Sequence, residues 1–160
     1  MRPARAQDAG QILAFIGELA AYERLAHLVT ADEAQIQAAL FGEEPQANCD
    51  IADWDGEAAG FCLWFYNFST FLGRRGIYLE DLYVRPARRG HGIGKALLAS
   101  LARRCVDQGL QRLEWSVLDW NAPAIGFYEG LGAKVAPDWR LCRMSGLALE
   151  RLASPLTQEA

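Results

Sequence analysis

The stretch from residue 77 to residue 107 constrains the fold more than any other part of the sequence. Ile77 to Val84 is rich in β-branched and aromatic residues and predicts a strand, which Arg85-Pro86 ends because proline lacks the amide hydrogen that a sheet needs. A glycine-rich loop at 88–94, called the glycine turn below, precedes an apolar helix predicted from about Lys95 to Asp107. A glycine turn between a strand and a helix presents main-chain amides at the positive end of a helix dipole. The stretch therefore predicts a site for an anion, and a pyrophosphate fits it best.

The spacing of the glycines separates the known phosphate-binding motifs. A P-loop needs four residues between its glycines, but only three separate Gly90 from Gly94, and Ala96 stands where a magnesium-binding hydroxyl belongs. The Gly-x-Gly-x-x-Gly pattern of dinucleotide sites is missing as well. The pattern Arg-x-x-Gly-x-Gly does fit, with Arg89, Gly92 and Gly94. A turn that merely caps a helix is the alternative, and six residues alone do not decide between the two.

Composition limits the class of protein. The 160 residues, 51% hydrophobic and 22% charged, predict one globular domain at 1–153 with a C-terminal tail at 154–160. The net charge of −4 disfavours wholesale binding to nucleic acid. No apolar run approaches the roughly 20 residues of a membrane span, and no signal peptide is evident, so we expect a cytoplasmic protein without a membrane partner. Four scattered cysteines predict buried thiols in a reducing compartment, and neither His27 nor His91 has the neighbours of a metal site.

The first half of the chain alternates between helical and strand patterns. A short strand at 2–4 precedes a helix from Asp8 to about Glu23, and Thr30 with Glu33 predicts a capping box for a second helix. Two strands at 49–54 and 57–68 are joined by a hairpin signal at Asp55-Gly56. The second of these strands is apolar on both faces, which is typical of a central strand covered on each side.

The second half continues after the helix that follows the glycine turn. A strand is predicted at 113–118, and Asn121 is expected to cap a helix that tolerates Pro123 in its first turn. Final strands are predicted around 133–135 and 139–149. The resulting order, β-α-α-β-β-β-α-β-α-β-β, indicates an α+β fold with helices layered on a mixed sheet.

Nine stretches, in the same order along nearly the whole chain, resemble the GNAT superfamily of N-acetyltransferases and, within it, the diamine (spermidine/spermine) N-acetyltransferase branch. They are Arg2-Pro-Ala, Glu18-Leu-Ala-Ala-Tyr-Glu23, Phe41-Gly42, Tyr78-Leu-Glu-Asp81, Arg89-Gly-His-Gly-Ile-Gly94, Trp120-Asn-Ala-Pro123, Phe127-Tyr128, Gly132-Ala133 and Trp139-Arg140-Leu141. The resemblance implies the acyl-CoA N-acyltransferase fold, with a mixed, mostly antiparallel sheet flanked by helices. It also implies acetyl-CoA as co-substrate, no metal, and a homodimer.

The chemistry of amine acetylation gives two of these residues a role. A primary amine with a pKa of about 10 is protonated at neutral pH, so a group must accept its proton. Glu80 matches the family position for this acceptor, and Tyr128 matches the general acid that protonates the leaving thiolate. A surface ion pair and a packed helix aromatic are the respective alternatives. The resemblance also implies that the strand splays, so that the amide near Leu82 stabilises charge on the carbonyl oxygen.

The resemblance further implies contacts to both substrates. Its pyrophosphate positions are Arg89, Gly90, His91, Gly92, Ile93, Gly94 and Lys95, which act mostly through main chain. Its pantetheine positions are Leu82, Tyr83, Val84, Asn121 and Ala124. Its amine positions are Tyr22, Glu23, Asp81 and Trp139, which offer carboxylates for ammonium groups and aromatic faces for cation–π contact. Pro137 departs from the diamine branch, which has an acidic residue there.

These observations predict an acetyl-CoA-dependent N-acetyltransferase that acts on a primary amine of a small polyamine-like or diamine substrate. An amino acid, a thialysine-like amine, an aminoglycoside or a protein N-terminus is the alternative acceptor. A non-catalytic acyl-CoA-binding sensor is an alternative of a different class. The presence of both Glu80 and Tyr128 argues against a sensor, which would need neither.

Overall fold

The central sheet has five strands in the order β1-β2-β3-β4-β5. Their bounds are β1 Arg2–Pro3, β2 Asn48–Trp54, β3 Glu57–Ser69, β4 Arg74–Val84 and β5 Leu113–Glu114. Neighbours from β1 to β4 pair antiparallel, whereas β4 and β5 pair parallel. The predicted α+β class, with a mixed and mostly antiparallel sheet flanked by helices, is confirmed.

Five α-helices and three short 3-10 helices accompany the sheet in this computed structural model, which describes residues 1–154. The α-helices are α1 Ala9–Tyr22, α2 Glu33–Phe41, α3 Ile93–Asp107, α4 Ala122–Gly130 and α5 Leu147–Ala153. The 3-10 helices are Ala6–Asp8, Ala26–Leu28 and Pro86–Arg88. Residues 155–160 of the predicted tail lie outside the described residues.

The chain divides into two compact units, Met1–Ser116 and a second one that begins at Val117. The first unit contains the whole sheet and the helices α1, α2 and α3; the second contains α4 and α5. Our placement of one domain at 1–153 stays a prediction.

Both faces of β3 are covered, as its sequence predicts. On one face the ring of Phe61 stacks on Phe15 of α1, with 5.3 Å between centroids and an interplanar angle of 10°. Tyr83 of β4 joins the same buried cluster. On α3, Leu97 and Leu101 are fully buried. Apolar burial of this kind is the dominant favourable contribution to folding, and it fixes the position of β4 between its two neighbours.

Four local predictions differ from the structure. Helix α2 starts with a capping box formed by Asp32 and Gln35 instead of Thr30 and Glu33, since the Asp32 carboxylate accepts from the Gln35 amide at 2.8 Å and the Gln35 side chain accepts from the Asp32 amide at 2.9 Å. The strand predicted at 113–118 is limited to β5. The strands predicted at 133–135 and 139–149 do not form among the described residues, and α5 begins at Leu147. An alternating pattern reports the fit to a pleated surface, but it does not supply the neighbouring strand.

Candidate active site

A β-bulge lies in the middle of β4 and centres on Glu80. Leu79 pairs with Trp64 and Asp81 pairs with Leu63, so Glu80 is an extra residue without a partner in the β3–β4 ladder. Its side chain is exposed. Bulges commonly re-aim side chains next to active sites. The residue predicted to accept the proton is therefore the one that the strand geometry sets apart.

The bulge also determines which face carries Asp81. Tyr83 packs on Phe15 of α1, together with its cross-strand partner Phe61. Asp81 lies two residues before Tyr83, and residues two apart in a strand share a face. Asp81 therefore lies on the α1 face of the sheet, where α1 ends and is followed by Glu23.

Among residues 1–154, no strand pairs with β4 beyond Tyr78 on the β5 side, and we call this part of β4 the open edge. The β5 ladder covers only Ile77 and Tyr78 of β4. The Arg85 amide donates to the Ala59 carbonyl on the β3 side at 2.9 Å. Because amide directions alternate along an antiparallel strand, the N–H groups of Leu82 and Val84 point the opposite way, towards that edge. The resemblance assigned these amides to the carbonyl oxygen and to pantetheine, and the splay that it implies stays a prediction.

In the chain, the glycine turn comes after β4 and the short 3-10 helix Pro86–Arg88. Gly90 and Gly92 have φ angles of 81° and 79°, which favour glycine, and Gly92 is the N-cap of α3. The first intrahelical bond runs from the Ala96 amide to the Gly92 carbonyl at 2.9 Å, so the amides of the preceding helical residues have no acceptor in the helix. Apart from its chain neighbours, no heavy atom of residues 1–154 lies within 4 Å of where a Cβ would stand at Gly90 or Gly92.

The remaining positions of the predicted pyrophosphate site hold the turn in place or stand in solvent. Ile93 is buried and anchors the start of α3, whereas Lys95 is exposed and Gly94 is half-buried. An open concave turn with outward amides is what a diphosphate requires. The residues predicted for the pyrophosphate therefore fit such a group.

Arg89 differs from the other residues of the turn because its side chain is already engaged. Its Nε donates to the Val84 carbonyl at 2.9 Å. Its guanidinium carbon lies 4.9 Å from the Tyr22 ring centroid and 5.8 Å from that of Tyr83. Arg89 thus joins the end of β4 and the end of α1 to the glycine turn. Tyr22, which the sequence assigned to the amine, is in contact with a residue assigned to the coenzyme.

Three carboxylates, Glu23, Glu80 and Asp81, form what we call the acid cluster. Burial raises the pKa of Asp81 to about 6, and the negative charges of Glu80 and Glu23 add to this effect. Burial also raises the pKa of Glu23 above its ordinary value. Glu23 influences the pKa of Asp81 although the two acids are 58 positions apart in the sequence, because Glu23 follows α1, which packs on the sheet that contains β4. Such an arrangement favours a cation between the carboxylates.

An ion pair beneath the site was missed from the sequence. The Arg85 guanidinium donates to both oxygens of Glu18, with the shortest distance at 2.8 Å, and lies 4.9 Å from the centroid of Phe15. This pairing lowers the pKa of Glu18. It fastens the end of β4 to α1. Arg85 was read only as the residue before a proline, and no short-range pattern links it to an acid 67 positions away.

The second unit carries the other predicted site residues. Asn121 caps α4 as predicted, since its side chain accepts from the Ala124 amide at 3.3 Å, and it is buried. The half-buried Tyr128 lies on the same helix, with its ring 5.3 Å from that of Phe127. Trp139 is 79% exposed. The catalytic and binding roles of these residues stay predictions.

Other features of residues 1–154 bear on the predicted chemistry. They contain no group of three or more side chains suited to hold a metal ion. Within the same range no helix has the length and apolar character of a membrane span. Three cysteines are buried as predicted, but Cys142 is exposed, because its segment does not form the strand expected there.

Comparison with known proteins identifies the class of protein. The model of the acetyltransferase (GNAT) family matches residues 11–133. The chain therefore belongs to the GNAT acetyltransferase family, whose members use acetyl-CoA as co-substrate, and its class is that of an N-acetyltransferase.

Three curated proteins and one solved structure show which members of the family the chain is similar to. The chain is 40% identical to a thialysine N-epsilon-acetyltransferase of Bos taurus, with 96% of each chain covered. It is 33% identical to an L-ornithine N5-acetyltransferase of Arabidopsis thaliana, over 95% of this chain and 86% of that protein. It is 30% identical to a spermidine/spermine N(1)-acetyltransferase-like protein of Homo sapiens, over 83% of this chain but only 20% of that protein. Among solved structures, an integron cassette protein of V. cholerae superposes with a TM-score of 0.79 at 25% identity and covers 95% of both chains.

Proposed function

We propose that this chain transfers the acetyl group of acetyl-CoA to the terminal primary amine of a small aliphatic substrate. One observation carries the proposal: the open edge of β4, with the Leu82 and Val84 amides, is followed after the short 3-10 helix Pro86–Arg88 by the glycine turn. A strand edge suits the amides of a pantetheine arm, and outward amides at a helix N-terminus suit a diphosphate. The two features follow one another in the order in which coenzyme A presents those groups.

The proposed chemistry assigns one task to each polar group. Asp81 and Glu23 hold the ammonium group of the substrate, and Glu80 accepts its proton. The Leu82 amide stabilises the negative charge that grows on the carbonyl oxygen as the amine attacks. The Tyr128 hydroxyl gives a proton to the departing thiolate. Acetyl-CoA supplies the activated acyl group.

The acid cluster supports a basic, extended acceptor. A substrate with a single ammonium group would leave part of the negative charge of the cluster uncompensated, whereas a substrate with two separated amines can pair with more than one carboxylate. We therefore propose an acceptor that carries a second polar group at a distance from the reacting amine. The predicted diamine or polyamine meets this requirement, and so does an amino acid with a terminal amine.

Between these two acceptors, the relatives favour the amino acid. The similar bovine and plant proteins are named for thialysine and L-ornithine, which are amino acids with a terminal amine, and they match over most of their length. The human relative named for spermidine and spermine matches over a fifth of its length. We propose a thialysine- or ornithine-like amine as the first candidate and a polyamine as the second.

A turnover screen tests the proposal. Release of coenzyme A is followed with thialysine, L-ornithine, L-lysine, putrescine, spermidine and an aminoglycoside at matched concentrations. We expect the largest kcat/KM with thialysine or L-ornithine. A clear preference for spermidine would reverse the order of the two candidates. Absence of turnover with every amine, in protein that binds acetyl-CoA, would contradict the enzymatic proposal.

We also propose that the chain acts in the cytoplasm as a homodimer. Among the described residues all four cysteines are free thiols, which suits a reducing compartment. The second unit exposes large apolar side chains between residues 139 and 152, namely Trp139, Leu141, Met144, Leu147, Leu149 and Leu152. Such a concentration is typical of a surface covered by another chain. Light scattering of the purified protein tests the dimer, and a monomeric mass at micromolar concentration would contradict it.

A further inference from the structure

The glycine turn contains residues that favour disorder. Gly90, Gly92 and Gly94 fall within five positions, and the first two adopt positive φ angles. Glycine loses more conformational freedom on ordering than any other residue. A ligand that has to order the turn loses affinity for that reason, whereas a turn that is already ordered binds more tightly. Contacts that hold the empty turn in place therefore contribute to affinity.

One such contact comes from the β2–β3 hairpin. The indole ring of Trp54, the last residue of β2, lies 5.1 Å from the imidazole ring of His91, with an interplanar angle of 56°. Tilted aromatic pairs at this distance are favourable beyond the area that they bury. Asp55, the next residue of the hairpin, lies 3.7 Å from Arg88, but this pair is exposed and adds little. The hairpin thus contacts the turn mainly through Trp54.

His91 also contacts the main chain of the turn. Its Nδ1 lies 3.0 Å from the carbonyl oxygen of Arg89. Because a carbonyl only accepts, Nδ1 carries the proton in this bond. The imidazole therefore bridges the indole of Trp54 and the backbone on either side of Gly90. Neither side chain has to touch a ligand to influence the conformation in which the turn presents its amides.

We propose that Trp54, acting through His91, is a positioning residue for the diphosphate of the coenzyme. The inference rests on the proposed function, because it takes the glycine turn as the diphosphate site. It goes beyond that function by assigning a role to the β2–β3 hairpin, none of whose residues the sequence analysis assigned to either substrate. The Trp54–His91 pair orders the turn before the ligand arrives.

The test compares ligands with and without a diphosphate on the full chain. Calorimetry with acetyl-CoA should show about fivefold weaker binding for Trp54→Ala, and Trp54→Phe, which keeps an aromatic ring, should stay within about twofold of the parent protein. The kcat/KM for S-acetyl-N-acetylcysteamine, a thioester without a diphosphate, should be the same in Trp54→Ala and the parent. Phe71→Ala is the matched control, because Phe71 is a 95% exposed aromatic residue beyond the end of β3, where the other hairpin turns.

Each outcome decides between the alternatives. If Trp54→Ala binds acetyl-CoA as tightly as the parent, the inference is wrong. If it loses the same factor with the truncated thioester, Trp54 has a general structural role and the inference is wrong as well. A double variant with His91→Ala that loses much more than either single change would also contradict it, because the two residues would act independently. If the parent protein itself does not bind acetyl-CoA, the proposed function fails instead.

Discussion

The glycine turn and the acid cluster both adjoin β4, but they offer different chemical groups to a ligand. The turn offers main-chain amides, whose positions follow from a run of seven neighbouring residues and from the start of α3. The acid cluster offers side chains, and Glu23 reaches it only because α1 packs on the sheet. The comparison teaches that the backbone geometry of the turn is set mainly by adjacent residues, whereas the protonation of the cluster depends on burial. Variants of the two regions should therefore change different measurements.

The largest effect is expected at Tyr128, to which we assign a role in the chemistry and not in binding. Replacement by phenylalanine removes the hydroxyl that we propose as the proton donor to the thiolate, and we expect kcat to fall about 100-fold, since a positioned general acid contributes about 10²–10⁴-fold. The affinity for acetyl-CoA should stay within about twofold. Steady-state kinetics and calorimetry measure the two quantities.

The neighbouring Phe127→Leu provides the control for packing on α4, and we expect it to change kcat less than about threefold. A Tyr128→Phe variant with the turnover of the parent would remove the phenol from the mechanism. A parallel loss of affinity would mean that binding and chemistry are not separable at this residue.

The glycine turn should give the next largest effect, and it should appear in binding alone. At Gly92 the φ of 79° disfavours any side chain, and a methyl group would stand on the open side of the turn. We expect Gly92→Ala to raise the KM for acetyl-CoA about tenfold, since strain of this kind costs about 1–3 kcal/mol. Gly17→Ala, in α1 and also without near neighbours, is the control and should leave KM unchanged. A comparable fall in kcat for Gly92→Ala would contradict the expectation that the turn affects binding alone.

The acid cluster should make the stability of the protein depend on pH. Because the pKa of Asp81 is raised from 3.8 to about 6 in the folded chain, folding binds a proton between these values, and stability falls as the pH rises from about 4 to 6. Asp81→Asn removes this loss. We expect it to stabilise the protein at pH 7.5 by up to about 3 kcal/mol, or roughly 10 °C in Tm, and to change little near pH 4.

Thermal melts across this pH range measure the effect. Glu43→Gln, at an exposed position outside the cluster, should give the same Tm difference at every pH. The stabilised Asp81→Asn variant should also have a raised KM for the amine, because the ammonium group loses a carboxylate. Equal stability of Asp81→Asn and the parent at pH 7.5 would show that folding does not raise the pKa of Asp81.

The smallest effect is expected at Glu80, where the two roles within the acid cluster can be told apart. The charge of Glu80 helps to raise the pKa of Asp81. Glu80→Gln should therefore lower that pKa and move any limb of the pH–rate profile that depends on Asp81 to lower pH. If Glu80 is the proton acceptor, as we propose, its loss should lower kcat several-fold, because water replaces it in part. The pH profile of kcat/KM distinguishes the two effects. An unchanged profile and an unchanged kcat would assign the proton to another group.

Much of the architecture was predictable because it is periodic or local. The antiparallel strands, the central position of β3 and the cap at Asn121 all follow from patterns that span fewer than about 15 residues. The strand predicted at 139–149 failed for the opposite reason, since an alternating segment forms a strand only where another strand offers its edge. Cys142, expected to be buried in that strand, is exposed for the same reason.

The sequence by itself determined the glycine turn, because positive φ angles and free amides at a helix start are properties of adjacent residues. Only the tertiary structure decided the open edge of β4, the raised pKa of Asp81, and the contact of Trp54 with His91. Each of these requires groups far apart in the chain to meet, and their energies depend on distance and on the exclusion of water. Distances and burial arise from packing, which no short stretch of sequence encodes.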